Sequence, residues 1–578
     1  MSPRPPVLSP MAKLPGDLVL EIVNFLSSRS DMLNLSMASS CMYTRATPAI
    51  YSSVALFDAP QCIRTLTMLA RRGDIARHVR KLVVRPNSVS GSAEQQRESA
   101  AAVCVALKQV AAKLDALNTF VWDGDEMPAC DGVWLYLRLL CPQLKTIGTS
   151  ISSLPIGSHL FEFKDLRGFS LTFKGDSQTN GSLTGASRLW AMLIDSCPNL
   201  EELCLDGFSS WPTAEPFPLI QARWPELRKL TLGDIVVDLG AIHGANSPDD
   251  HAAHPFIDFL AAHPKLDSLR TSRYSLSPTG LNTLDEHALP ALAEFSGTLE
   301  QLQLLRRHHP ALTAVGFHEP MMLRDITPIA VSAVLQGLPN LTTLRLSFVL
   351  QSTYESGGLL RALAGCCPRL ARLELVCGHK PSFPVEAFAK AVAHLPRLRV
   401  LALSTVRFPG DPALAASAVL LARHNPRLEV FTLAHLPAHA AVPALPAAAA
   451  LSAFSSAFSS FSAASATSAH GVHAGTYTIV PDAHGLPVYL YAVERRARWW
   501  AAAWPVGVLL RVCCGPYRGA VRRYRVDLRP GYLRRARRQA SWAGSAAGEE
   551  LRMVVFLGVL CLLSLWGFAF VEVGHRLG

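Results

Sequence analysis

A leucine template returns down the middle of this chain and limits what it can fold into. The pattern P-x-L-x-x-L-x-L occurs as Pro198–Leu200–Leu203–Leu205 and Pro225–Leu227–Leu230–Leu232. It recurs as Pro339–Leu341–Leu344–Leu346, Pro368–Leu370–Leu373–Leu375 and Pro396–Leu398–Leu401–Leu403, and ends as Pro426–Leu428–Phe431–Leu433. Weaker copies follow Pro142, Pro264 and Pro310. From Pro339 to Pro426 the steps are 29, 28 and 30 residues. A fixed period of this length marks a solenoid, in which each repeat is too small to bury its own apolar face and relies on its neighbours.

The content of one repeat follows from local rules. Leu344 and Leu346 alternate, so they share one face of a short strand. Ahead of each proline lies a helical segment: Trp134–Leu140, Leu189–Ile194, Phe256–Leu260, Ile329–Leu335, Leu359–Leu363, Phe388–Val392 and Leu414–Leu421. A residue before proline is pushed out of the helical region, so each helix stops there and the strand begins. The expected class is α/β, a curved array with a parallel sheet on its concave side. Before the regular half, Val79–Val84, Asn118–Trp122 and Leu166–Phe173 are expected as strands at uneven spacing, with Pro86–Gln96 and Gly175–Gly185 as insertions. Residues alternating with the buried leucines face the concave side. Lys229, Thr231, Thr343, Arg345, Arg372 and Glu374 hold such positions, and Arg345, Arg372 and Glu374 are the candidate contacts to a target protein.

Ahead of the repeats, Leu14–Leu56 reads as three short helices. Leu14 and Pro15 open the first, where the fixed φ of proline is tolerated. Leu18, Ile22, Phe25 and Leu26 form one apolar stripe. Ser30 and Asp31 are suited to cap a second helix carrying Met32, Leu33, Leu35 and Met37, and Pro48 is expected to bound the region. About 45 residues are too few to be comfortable alone, so the helices should lean on a neighbour.

Leu14, Pro15, Leu18, Glu21, Ile22, Leu26, Asp31, Leu33 and Leu35, followed by Pro48 and Tyr51, resemble an F-box of fungal type. Ser39, Ser40, Cys41 and Met42 depart from the basic, Trp-containing second half that many members have. The repeats over residues 60–435 resemble those of F-box proteins with leucine-rich repeats. The resemblance implies a three-helix F-box at 11–57, a leucine-rich-repeat solenoid at 58–435, and docking to the Skp adaptor and cullin of an SCF ubiquitin ligase. Leu14, Pro15, Leu18, Ile22, Leu26 and Leu33 are then the expected adaptor contacts or the helices behind them.

The C-terminal part has a different composition. Residues 436–475 are an Ala/Ser-rich linker with almost no charge. Residues 476–494 read as a β-hairpin capping the solenoid, two β-rich runs about Pro481–Gly485. Arg495–Arg538 holds 13 arginines and one acid, Asp527, a local net of +12 that leaves −1 for the rest of a chain whose net is +11. Residues 495–552 are expected to be a juxtamembrane segment facing anionic lipid, with Trp499, Trp500 and Trp504 at the interface and Cys513 and Cys514 as acylation candidates. Met553–Val571 lacks any charge and, at roughly 28 Å as a helix, matches a bilayer core. It is expected as a transmembrane tail anchor that holds the chain on the cytosolic face of a membrane. Tyr517, Tyr524 and Tyr532 among the arginines leave RNA binding as the alternative, the less favoured one beside an apolar span.

The cysteines follow no disulfide or zinc spacing. Cys141, Cys197 and Cys367 precede prolines and read as small buried residues in a reduced compartment. No secretory start precedes the helices, so the triplets at Asn34, Asn180 and Asn340 are not expected to carry glycans. Phosphate-binding loops, nucleophile elbows and His-Glu-x-x-His motifs are missing, and His251/His254 and His308–His309 have no ligand partners at metal spacing. The expectation is a non-enzymatic subunit without cofactor, whose rivals are a membrane scaffold with no ubiquitin role and the RNA-associated protein.

Overall fold

The fold is taken from a computed structural model that describes most of residues 14–528. Its description omits 27–28, 87–92, 175–186, 211–217, 238–254, 306–310, 318–320, 323–327, 350–360, 380–384, 407–411, 437–472, 482–486, 497–519 and the single residues 125, 154, 156, 236, 274, 277 and 286. The expected linker, most of the arginine-rich segment and the expected span Met553–Val571 therefore lie outside the described residues. Among the described residues no helix is long and apolar enough to cross a membrane.

The solenoid is built on one continuous sheet. Its strands are β1 (Ser53–Leu56), β2 (Lys81–Val84), β3 (Thr119–Trp122), β4 (Thr146–Ile151), β5 (Gly168–Phe173), β6 (Glu202–Ser210), β7 (Lys229–Ile235) and β8 (Ser268–Arg270). They continue as β9 (Glu294–Gly297), β10 (Ala314–Phe317), β11 (Met321–Met322), β12 (Thr343–Val349), β13 (Arg372–His379), β14 (Val400–Val406) and β15 (Val430–Leu436). Each pairs in parallel with the next, except that β10 and the short β11 both pair with β12. The α/β class with a parallel, solenoid-like sheet is therefore what the chain adopts.

Register explains the cohesion. Val54, Leu82, Phe120, Ile147, Phe169, Leu203, Leu230, Leu269, Phe295, Val315, Leu344, Leu373, Leu401 and Phe431 fall opposite one another in successive strands. All are buried. Burying such a side chain is worth about 1.5–3 kcal/mol, so the apolar spine is the main driving force along the array. Beside it runs an unbroken backbone ladder. The amides of Asn118, Lys145, Arg167, Glu201, Arg228 and Asp267 each donate to the preceding rung at 2.7–2.8 Å. Those of Ala293, Thr313, Thr342, Ala371, Arg399 and Glu429 do the same at 2.8–2.9 Å.

The helices end before the prolines. Cys141, Cys197 and Asn425 have left helical geometry, at φ −116°, −127° and −130°, as the following proline requires. The segment expected at Leu189–Ile194 begins as α-helix, Ser187–Ala191, and widens into a π turn over Met192–Ser196. Gly207, at φ 76°, follows the regular part of β6, where the pairing with β7 shifts. A Cβ there would collide with the Phe173 carbonyl oxygen, so only glycine fits.

Cys141, Cys197 and Cys367 are buried, as expected, and at several junctions the residue before the proline also donates a hydrogen bond. Cys141 donates its thiol to the Ala111 carbonyl at the end of the preceding helix, at 3.6 Å, and burial pushes that thiol up to about 12. Trp224 Nε1 donates to the Leu193 carbonyl at 3.0 Å. Asn425 Nδ2 donates to Ala389 O at 2.9 Å and to Leu421 O at 3.1 Å. Ala111 O, Ala389 O and Leu421 O also accept the backbone amides of Leu114, Ala393 and Asn425, so these side chains add ties between neighbouring repeats. His263 completes the series: its Nε2 accepts the Trp224 amide at 3.0 Å, so its Nδ1–H donates to Phe259 O at 2.6 Å. The ring is thereby fixed in a neutral tautomer.

At the C-terminal end, β16 (His473–Pro481), β17 (Pro487–Arg496) and β18 (Ala520–Asp527) extend the sheet in antiparallel fashion from β15. Tyr477 stacks on Phe431 with ring centroids 5.2 Å apart, continuing the spine. Strand β18 is a correction: Ala520–Asp527 was expected in the juxtamembrane run, but Val526 faces Leu490 in register and packs against the core.

Two outcomes follow. Asn425→Leu should lower stability by about 0.5–1.5 kcal/mol in urea unfolding, because it removes the buried bond from Nδ2 to the Ala389 carbonyl of the preceding repeat. His263 is held neutral by burial, with Arg223 adding to the effect, so its folded value lies below the ordinary 6.5. Its contribution is full above the unfolded value and is lost as pH falls below it. The melting temperature of wild type should therefore drop more between pH 7.5 and 5.5 than that of His263→Gln.

Candidate functional site: an exposed helical stripe and a charged concave face

Three helices precede the sheet: α1 (Gly16–Phe25), α2 (Arg29–Met37) and α3 (Ser40–Tyr51). Both α1 and α2 pack on α3. The α3 amino end is capped by Ser39, whose hydroxyl accepts the Met42 amide at 3.1 Å. Arg45 donates to the Leu14 carbonyl, fixing the start of α1 against α3. Pro48 lies inside α3 and does not bound it. Its missing N–H frees a carbonyl one turn back, and the α3 fold tolerates that cost near its end. The second helix starts at Arg29, so Ser30 and Asp31 fall in its first turn and do not precede it.

The packing of α1 separates two apolar faces. Val19 and Val23 join Met42, Ala46 and Ile50 in a small core of their own. Tyr51 packs against both this core and the solenoid core, joining module to array. The stripe expected from the sequence faces outward instead: Leu18 is 47% exposed, Ile22 45% and Phe25 82%. On α2, Leu33 is 41% and Met37 74% exposed. Of the other expected contacts, Leu14 and Leu26 are half-buried and Pro15 is exposed. Phe25 and Met37 were not among the expected contacts. Their signal was available, since Phe25 lies one turn beyond Ile22 on the same stripe and Met37 one turn beyond Leu33.

The second feature is the concave face. Lys229, Thr231, Arg345, Arg372 and Glu374 alternate with buried Leu230, Leu344 and Leu373. Arg345 reaches past β10, where Gly316 leaves room, toward Glu294 on β9 at 3.9 Å, and its Nε lies 3.3 Å from Glu374. Burial raises the Glu374 carboxyl above its ordinary value, against the pull of Arg345 and Arg372. Arg372 is exposed and makes no ion pair among the described residues. Lys229 pairs with Glu202 at 2.6 Å, and Arg270 lies 3.5 Å from the buried Asp206. The sequence reading missed Glu202, Asp206, Arg270 and Glu294, although all but Asp206 occupy or follow the two variable positions between leucines. From β14 onward the same side carries Ala402, Ser404, Thr432 and Ala434, all buried. The open, charged stretch of the concave face that holds Lys229, Arg345, Arg372 and Glu374 thus ends at β13.

No family model matches the sequence, and no curated protein matches it. Among solved structures, the crystal structure of the Rad7 and Elc1 complex in yeast is similar to this chain. The match covers 69% of this chain and 88% of that one, at 15% identity and a TM-score of 0.40. A likeness at that level carries no conclusion about function.

The two faces of α1 can be told apart by mutation. Ile22→Asp should change stability by no more than about 0.5 kcal/mol, whereas Val23→Asp should cost roughly 3 kcal/mol or more. Protease resistance of residues 14–51 in the full chain reads the difference.

Proposed function

We propose that this chain is a substrate-recognition subunit of an SCF-type cullin–RING ubiquitin ligase, with no catalytic chemistry of its own. The observation that carries the proposal is the exposed apolar stripe Leu18–Ile22–Phe25, with Leu33 and Met37, on a module whose core is already closed by other residues. Large apolar groups at helical spacing that the fold does not use are suited to a partner's groove. Together with the F-box resemblance of Leu14–Leu56, they support docking to the Skp adaptor. In this reading the concave face between β6 and β13 holds a target protein through Arg345, Arg372 and Glu374. Holding target and ligase together raises their effective concentration, and the partner enzymes supply the chemistry.

The same reading places the assembly on the cytosolic face of a membrane, through Met553–Val571. Its support is the uncharged length of that segment and the arginines before it.

Recovery of the full-length protein from cells tests the ligase role. Wild type should bring down the Skp adaptor and cullin, and Ile22→Asp/Phe25→Asp should lose both. Arg345→Glu/Arg372→Glu should keep the adaptor and lose the target set found by proximity labelling. Absence of adaptor and cullin from the wild-type sample would refute the ligase role and leave a scaffold.

A further inference from the structure

Next to the helical module, the starts of the first solenoid strands carry cations that the ligase reading does not use. The two residues before each buried strand residue are Arg80-Lys81 at β2, Asn118-Thr119 at β3, Lys145-Thr146 at β4 and Arg167-Gly168 at β5. None of these positions holds an acid until Glu201-Glu202 at β6. The backbone ladder sets Arg80, Asn118, Lys145 and Arg167 on successive rungs. With strands about 4.8 Å apart, Arg80 and Arg167 are separated by only about 15 Å.

The row is open, and all of it but Arg167 is uncompensated among the described residues. Arg77, Arg80, Lys81 and Arg167 are exposed, and Lys145 is half-buried. Arg167 lies 3.2 Å from Glu201, at the acidic edge of the row. Arg77, Arg80, Lys81 and Lys145 make no ion pair among the described residues. Asp115 and Asp165 make no ion pair among the described residues. The local field is felt at His78, held below its ordinary value first by burial and then by Arg77 and Arg80.

We propose that this row, Arg80, Lys81, Lys145 and Arg167, is a docking track for an acidic polypeptide segment of a protein partner. A narrow line of cations that ends at Glu201 and Glu202 on β6 suits a single anionic strand better than a broad anionic surface. The track offers no aromatic side chain for base stacking among the described residues, and it is shorter than a typical nucleic-acid footprint. Its place is set by the fold: the Arg80 amide donates to Ser52 O just after α3, so a segment held here lies beside α1–α3. The inference does not depend on which protein binds α1 and α2.

The test is fluorescence anisotropy of the full chain with a fluorescein-labelled dodecapeptide rich in Asp and Glu. Binding should weaken as salt rises from 50 to 200 mM. R80E/K81E/K145E should lose about tenfold in affinity or more, and R80Q/K81Q/K145Q should fall between it and wild type. The charge-matched control R369E/K390E/R397E, in the distant C-terminal repeats, should stay within about twofold of wild type. Equal losses in the two charge-reversal variants, or no loss in either, would overturn the proposal. So would tighter binding of a single-stranded RNA dodecamer or phosphatidylserine vesicles to the same three side chains.

Discussion

Everything in this molecule depends on the alignment of one apolar residue per strand into a continuous buried spine. The parallel ladder keeps that alignment, since each strand-start carbonyl receives an amide from the next rung. A slip of one residue in any strand would turn its leucines toward solvent and its charges inward. The spine therefore fixes which side chains face the concave surface, and hence the positions of Arg345, Arg372 and Glu374. The same ladder fixes the spacing of the cations at the strand starts. Function in such a solenoid is set by register before it is set by any single contact.

The repeat junctions show a second constraint. At several junctions the residue before the proline donates a side-chain hydrogen bond to a carbonyl of the preceding repeat, as Cys141, Trp224 and Asn425 do. Asn425 makes a second bond, to Leu421 O, while Leu338 and Leu395 occupy the same place in neighbouring repeats without a polar group. The tie is therefore used at some junctions and not at all of them. At the N-terminus the economy runs the other way. A core of Val19, Val23, Met42, Ala46 and Ile50 is small, and Leu18, Ile22 and Phe25 are left outside it. A module that could bury more apolar surface but does not is poised for association.

Much of the architecture was legible in the sequence because period and proline placement are local signals. Leu344/Leu346 announce a strand and Pro339 announces the end of the helix before it. The irregular half was harder. Strands such as Glu294–Gly297 and Ser53–Leu56 are four residues long and carry one or two spine residues each, too little for periodicity to register. Helix Ala93–Ala111 is rich in alanine and polar residues, and its buried face is spread over Val103, Leu107 and Val110. Strand β18 was hidden by its arginines, whose charge placed it with the lipid-facing segment. The candidate site was half legible. Spacing showed a stripe on α1, but could not say which of two apolar faces the module would bury, since Val19 and Val23 are also one turn apart. That choice is made by α3, through contacts distant in sequence. On the concave face, alternation alone placed Arg345 and Glu374 correctly. The link to Glu294 required knowing that Ala314 and Gly316 leave the way clear between them.

The central claim is that the outward stripe of α1 and α2 is an adaptor-docking surface on a solenoid that presents something else. Hydrogen–deuterium exchange of the full chain, with and without purified Skp adaptor, tests it most directly. The account predicts added protection across Gly16–Met37, with the strand amides from β6 to β13 unchanged. No change at Gly16–Met37, or protection confined to the solenoid, would contradict it.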